Sequence, residues 1–290
     1  VNINLAIAER ARAGEALTVA EIDELGSSDI LSLGILADEV RRQRVGDTVT
    51  YSRVVEIDAG ATGATGATDA TGAEVRLSVL PSTLGDTEAL IAEARMLAGP
   101  QLLTGFSLAD IADRSWGRLA DVLRRLKRAG LDAIAEAPVD RLHDAEEALR
   151  ACEAAGLSVR CLSLQSPISG DGRSRWLVHL RDLVGKFPAI QTVNPLSREQ
   201  SIAAPTTGYE DVRAVALARL VLPSIKTIQV DWAQYGPKLA QVALTFGAND
   251  LDRVSAVDDE SLGPRRTSLE DVKRNIAAAG FTPVDRAARD

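Results

Sequence analysis

The sequence predicts an α/β fold, a TIM-like (β/α) barrel with an N-terminal helical extension, and three observations lead there. The chain has 290 residues, enough for one barrel of about 250 residues with something added. Hydrophobic residues make up 46% of it, sufficient for a single large core. From Arg53 onward, short apolar runs alternate with helical segments, the pattern of parallel strands joined by crossover helices.

Taken in order, residues 3–46 carry apolar positions at helical spacing, among them Leu31, Leu33, Ile35, Leu36 and Val40. The segment ends on Arg41, Arg42 and Arg44, cations that suit a helix C-terminus. Two or three helices are expected there, with Thr18 and Glu21 as a capping pair. Strands are expected at 53–58, 74–80, 101–106, 131–136, 158–164, 190–193 and 226–232, with a weaker eighth at 251–254. Helices are expected at 86–97, 119–129, 144–155, 175–184, 210–221 and 237–246. The first crossover differs: residues 59–73 form a Gly-Ala-Thr repeat with no apolar stripe, so a flexible loop is expected. The chain thus divides into a helical extension (1–48), the barrel (49–256) and a C-terminal appendage (257–290) whose short helix, within 268–286, packs near the barrel.

Composition narrows the function. A net charge of −8 and a pI of about 5.0 argue against a broad phosphate-binding surface, so no nucleic-acid partner is expected. The arginines between Arg118 and Arg128 read as a solvated outer helix face. No apolar run approaches membrane-spanning length and no charged leader precedes an apolar stretch, so a cytoplasmic protein without membrane contact is expected. Two cysteines over this length fit a reducing compartment.

Several segments then carry a resemblance in their order and spacing. They are Thr206-Thr207-Gly208-Tyr209-Glu210-Asp211-Val212-Arg213, Ala216-Leu217-Ala218-Arg219-Leu220, Gly236-Pro237-Lys238-Leu239 and Phe246-Gly247-Ala248-Asn249-Asp250-Leu251-Asp252. Upstream, Gly105-Phe106-Ser107-Leu108-Ala109-Asp110-Ile111 and residues 122–132 continue it. The chain resembles the radical S-adenosylmethionine enzymes of the futalosine route to menaquinone, aminofutalosine synthase and dehypoxanthine futalosine cyclase, and the FO synthase subunits of deazaflavin biosynthesis. The likeness runs from about Leu33 to Val284. It implies a barrel whose first loop holds three cluster cysteines, yet this chain has only Cys152 and Cys161, on a predicted helix and a predicted strand. The relatives' glycine-rich turn after the fourth strand is also missing, replaced by Glu136-Ala137-Pro138-Val139-Asp140. No iron–sulfur cluster is therefore expected, S-adenosylmethionine binding is not expected, and the resemblance implies a cluster-free pseudoenzyme.

Other chemistries find little support. With His143 and His179 as the only histidines, no His-rich metal site is expected, and no metal is assigned. What remains is a ring of polar and aromatic residues at expected strand ends, the end of a barrel where active sites lie. Asp58, Phe106, Ser107, Gln165, Asn194, Trp232, Asn249 and Asp250 are the candidate ligand-binding residues, with Glu136 and Asp231 as candidate acid or base. Three readings follow. The leading one is a ligand-binding or accessory protein for a nucleoside-like small molecule. The others are an enzyme doing non-radical acid/base chemistry on a nucleoside or chorismate-derived intermediate, and a structural partner forming a homo-oligomer or a hetero-oligomer with a true radical homologue.

Overall fold

The computed structural model describes residues 3–57, 74–168, 171–199, 207–256 and 269–286. Three helices open the chain, α1 (Leu5–Ala13), α2 (Val19–Gly26) and α3 (Ile30–Val45). At the start of α2 the expected capping pair is present: Thr18 Oγ1 accepts from the Glu21 amide while Glu21 Oε2 accepts from the Thr18 amide.

The strands and helices then alternate: β1 (Thr48–Ile57), β2 (Glu74–Leu77), α4 (Leu84–Ala98), β3 (Leu103–Ser107), α5 (Leu108–Asp113), α6 (Leu119–Ala129), β4 (Ala133–Pro138), α7 (Ala145–Ala155), β5 (Ser158–Val159), β6 (Leu162–Leu164), α8 (Asp171–Lys186), β7 (Thr192–Ser197), α9 (Gly208–Val221), β8 (Thr227–Asp231), α10 (Trp232–Leu244), β9 (Asp250–Ser255), α11 (Leu269–Ala278) and β10 (Thr282–Asp285). All pairings are parallel, in the order β1-β2-β3-β4-β6-β7-β8-β9, and β9 returns to β1, closing an eight-stranded barrel. The fold is the TIM-like one the alternation predicts. The segment expected as one strand at 158–164 is two: β5 pairs with the start of β4, β6 with its end, and the chain jogs between them at Arg160 and Cys161. Helix α10 begins at Trp232, five residues before its expected start at Pro237, because a non-helical Gly236 (φ 73°, ψ 173°) absorbs the break that Pro237 imposes. The Gly-Ala-Thr repeat lies outside the described residues.

The C-terminal segment does more than pack a helix near the barrel. Strand β10 joins the sheet, pairing Thr48, Val49, Thr50 and Tyr51 with Thr282, Pro283, Val284 and Asp285, while β2 pairs with Val54 to Ile57 further along β1. One strand position is thus filled by two segments, β2 in its upper half and β10 in its lower. Periodicity gave no hint of this, because Thr282-Pro283-Val284-Asp285 is too short and too polar to announce a strand.

Helix α3 carries Gly34 against Phe246, two residues past the end of α10, and a Cβ there would lie 2.7–2.9 Å from the Phe246 ring. Alanine gains about 1 kcal/mol of helix propensity over glycine, but overpacking typically costs 1–3 kcal/mol. Phe246 is itself buried. Gly34→Ala is therefore expected to lower stability by about 1 kcal/mol, read as a lower urea midpoint at unchanged slope; a raised midpoint would mean the ring yields freely.

Candidate functional site

The C-terminal ends of the strands surround a cavity of about 640 Å³. Charged side chains on β1, β2, β4 and β9 and just past β3, β4 and β7 line it, and several of them join with Asp231 in one connected chain. Glu136 on β4 takes Nε of Arg198 at 2.6 Å, and Arg198, just past β7, extends Nη1 to Asp231 at the end of β8. Asp231 also faces Nη1 of Arg253 at 3.4 Å, and Arg253 grips Glu56 on β1 through Nε and Nη2 at 2.6 and 3.0 Å. The series Glu136, Arg198, Asp231, Arg253, Glu56 alternates in sign from β4 to β1. Asp231 is fully buried and spends its other oxygen capping α10 at the Gln234 amide, which fixes the middle of the chain.

Backbone distortion aims these groups. Arg253 lies in the left-handed region at φ 55°, and the β1–β9 register slips between Tyr51/Leu251 and Arg53/Val254, so that Asp252 and Arg253 together face Ser52. This is a bulge. It turns Asp252 into the barrel and leaves Arg253 at the mouth. Phe106, at the end of β3, is also left-handed at φ 61°, and it too lines the cavity. Non-glycine residues in this region cost of order 1–3 kcal/mol each and tend to cluster at functional sites.

Beneath the mouth the barrel is filled with charge. Arg76 on β2 donates to Glu74 Oε1 through Nε and Nη2 at 2.8 and 2.7 Å, and to Asp252 through Nη1 and Nη2 at 2.8 and 3.1 Å. Thr104 Oγ1 completes Glu74 Oε1. Lower down, Asp250 accepts from Thr50, Gln229 and Arg286, the last arriving directly after β10. Burial alone would raise the Asp252 carboxyl, but the attraction and hydrogen bonds of Arg76, with help from Arg286, hold it well below the usual carboxylate range. Arg198 is likewise lowered by burial and raised more by Glu136 and Asp231, so it stays charged.

Of the residues singled out in the sequence, Phe106, Ser107, Glu136 and Gln165 line the cavity. Asp231 stands directly behind it. Asp58 lies outside the described residues. Asn194 was expected at a strand end but sits inside β7, fully buried, its Oδ1 taken by the Leu196 amide, because that strand runs on to Ser197. Trp232 opens α10 and is buried in the core, away from the cavity lining. Asn249 and Asp250 stand at the start of β9, the end opposite the mouth. There Asn249 Oδ1 accepts from Arg219 and from the Ile228 amide. Arg76, Arg141, Arg198 and Arg253 line the cavity and were missed. The two histidines both border a second cavity of about 250 Å³, beside Asp182 and Lys186. Among the described residues no group of three His, Cys, Asp or Glu is disposed to hold a metal ion.

The two cysteines lie on separate elements. Cys152 lies in α7 and Cys161 just before β6, both buried, and burial pushes each thiol up to about 12, away from the thiolate a metal needs. Residues 58–73, between β1 and β2, contain no cysteine.

These features define a closed parallel barrel with a polar, ion-paired cavity at its C-terminal mouth. Residues 186–289 match the CofH/MqnC C-terminal region. The 5-amino-6-(D-ribitylamino)uracil–L-tyrosine 4-hydroxyphenyl transferase of Methanopyrus kandleri is 31% identical over 206 residues, 58% of this chain and 54% of that protein. The aminodeoxyfutalosine synthase of Thermus thermophilus is 31% identical over 200 residues, 58% of this chain and 53% of that protein. Over these stretches the chain is similar to these proteins, and its matches span about half the length of these curated relatives. Solved structures agree in fold. Methylornithine synthase superposes with a TM-score of 0.70 at 15% identity, covering 97% of this chain and 98% of that one. The FeFe-hydrogenase maturase HydG from Carboxydothermus hydrogenoformans does so with 0.69 at 14%, covering 99% and 80%. Among the described residues no helix is long and apolar enough to cross a membrane.

Proposed function

We propose that the protein is a cluster-free relative of the aminodeoxyfutalosine and FO synthase enzymes that binds a small polar molecule at its barrel mouth, as an accessory protein in menaquinone or deazaflavin biosynthesis. One observation carries this reading: the mouth keeps a polar cavity of about 640 Å³ while the sequence between β1 and β2 offers no thiolate. A filled mouth would have favoured a purely structural partner. Acid/base catalysis is less well supported, because Glu136 and Asp231 are both bound to the same guanidinium, Arg198, and neither is poised as a free base. S-adenosylmethionine chemistry has no cluster to drive it in this reading.

Anaerobic reconstitution with iron and sulfide, followed by absorbance spectroscopy, tests the first half of the proposal. The expected result is no charge-transfer absorbance beyond that of a buffer control. A thermal-shift titration tests the second half. Melting is expected to rise with 5-amino-6-(D-ribitylamino)uracil or aminodeoxyfutalosine and to stay unchanged with S-adenosylmethionine. A reconstituted cluster would restore a radical-enzyme reading.

A further inference from the structure

An ion-paired mouth can still have hydrogen bonds to give, and Arg198 is where they are left. Four arginines line the cavity, and a guanidinium carries five N–H donors. Three of the four have both terminal nitrogens engaged: Arg76 on Glu74 and Asp252, Arg253 on Asp231 and Glu56, Arg141 on Asp110 and Asp113. Arg198 gives Nε to Glu136 and Nη1 to Asp231, while its Nη2 donates no hydrogen bond among the described residues. The side chain is only 14% exposed. Even so, Nη2 is not one of the partnerless side-chain atoms closed off from water, as the Ser107 hydroxyl is, and the residue lines the cavity. A donor that is largely buried, reachable and unspent marks the position of a ligand's acceptor. Two carboxylates already fix the guanidinium, so the donor is in place before a ligand arrives.

The surroundings of Nη2 set the charge of that acceptor. Nη2 is bonded to the same carbon as Nε and Nη1, so whatever it holds lies close to Glu136 and Asp231 at once. A carboxylate or phosphate there would be a third anion on one guanidinium. The rest of the cavity offers no compensating surplus: its four guanidiniums stand with Glu56, Asp110 and Glu136 in the lining, Asp231 directly behind, and Glu74 and Asp252 beneath. An ammonium group has no acceptor to present to an N–H. An uncharged carbonyl oxygen accepts the bond without adding charge to these pairs, and a hydrogen bond from a cationic donor is stronger than a neutral one.

We propose that Arg198 Nη2 is the recognition donor of the barrel mouth and that its ligand presents an uncharged carbonyl oxygen, that of an amide, lactam or ureide. This rests on the reading of the mouth as a ligand site and adds the chemical class of the group the site recognises.

The test uses the full chain at low salt and three probes that differ in one substituent: benzamide, benzoate and benzylamine. Saturation-transfer difference NMR titrations read their affinities. Benzamide is expected to bind about tenfold more tightly than either charged probe, the effect of one hydrogen bond to a charged donor. Arg198→Lys keeps the cation but spends its compact ammonium on the same two carboxylates, and it is expected to weaken benzamide about tenfold. Glu136→Gln keeps an acceptor for Nε while removing one negative charge beside Nη2. It is expected to narrow the gap between benzamide and benzoate at least about fivefold, a change of charge preference that loss of packing would not produce; it decides alone if Arg198→Lys fails to fold by circular dichroism. A preference for either charged probe overturns the proposal, as does benzamide binding unaffected by a folded Arg198→Lys or a gap unmoved by Glu136→Gln. If 5-amino-6-(D-ribitylamino)uracil or aminodeoxyfutalosine binds while benzamide has no advantage, the ligand site stands and its choice of an uncharged carbonyl falls. If neither these compounds nor any probe binds, both fall.

Discussion

Arg76→Met is expected to destabilise the protein by about 3–5 kcal/mol at neutral pH, the range for removing one partner of a buried ion pair. Glu74 and Asp252, the two carboxylates it holds, have side chains that are each only 4% exposed, so water cannot replace the guanidinium. Methionine fills much of the volume, which separates the electrostatic loss from a cavity. The pH dependence is diagnostic. Asp252 titrates below its ordinary value in the fold, so it contributes stability throughout the range above the unfolded value of about 3.9, and that contribution drains away as pH falls toward the folded value. In the variant, burial is opposed only by the weaker attraction of Arg286 and Arg198 and favours the protonated acid. The gap between parent and variant, measured by urea denaturation, is therefore expected to be widest near pH 7 and to narrow toward pH 4. A constant gap would mean that Arg76 contributes by packing alone.

The second large effect is expected from the C-terminal segment. Arg286→Ala removes the cation that meets Asp250, a fully buried carboxylate whose remaining donors are Gln229 and Thr50, and a loss of about 2–4 kcal/mol is expected. Deleting residues 281–290 is expected to cost considerably more. It also removes β10 from its pairing with β1, and Phe281, buried in the core with the guanidinium of Arg41 4.1 Å from its ring centre. Scanning calorimetry reads both. A deletion variant that melts with the parent would mean that β10 is not part of the cooperative unit.

The barrel was legible because its signal is redundant. Most barrel strands are short apolar runs followed by a helix, and an error of two residues at an end, as at 131–136 against Ala133–Pro138, leaves topology untouched. The site was legible only in part, for the same reason in reverse: a residue two positions along a strand changes its height in the barrel. Asn194 was placed at the mouth because its strand was expected to end at Val193, and Arg198, four residues on, was passed over. Arg76 was readable in principle. Glu74 and Arg76 alternate with Val75 and Leu77, which puts two charges on one face of a strand with no free surface to offer them. The bulge at Arg253 has no signature in the residues themselves, since left-handed arginine is set by tertiary pairing. The partnership of β10 with β1 joins segments that share no local pattern.

That partnership also bears on how the chain is made. Arg53 and Asp285, at adjoining points of the two strands, are 232 residues apart in sequence and joined at 2.7 Å. Contacts of such separation are slow to form, because the loop between them must be closed before they reward it. During synthesis β1 leaves the ribosome long before its lower partner exists, exposing an unpaired strand edge of the kind that recruits other chains. The nascent protein thus passes through an interval in which the barrel wall has a gap and Asp250 lacks its counter-ion Arg286, and chaperone dependence should be concentrated in that interval.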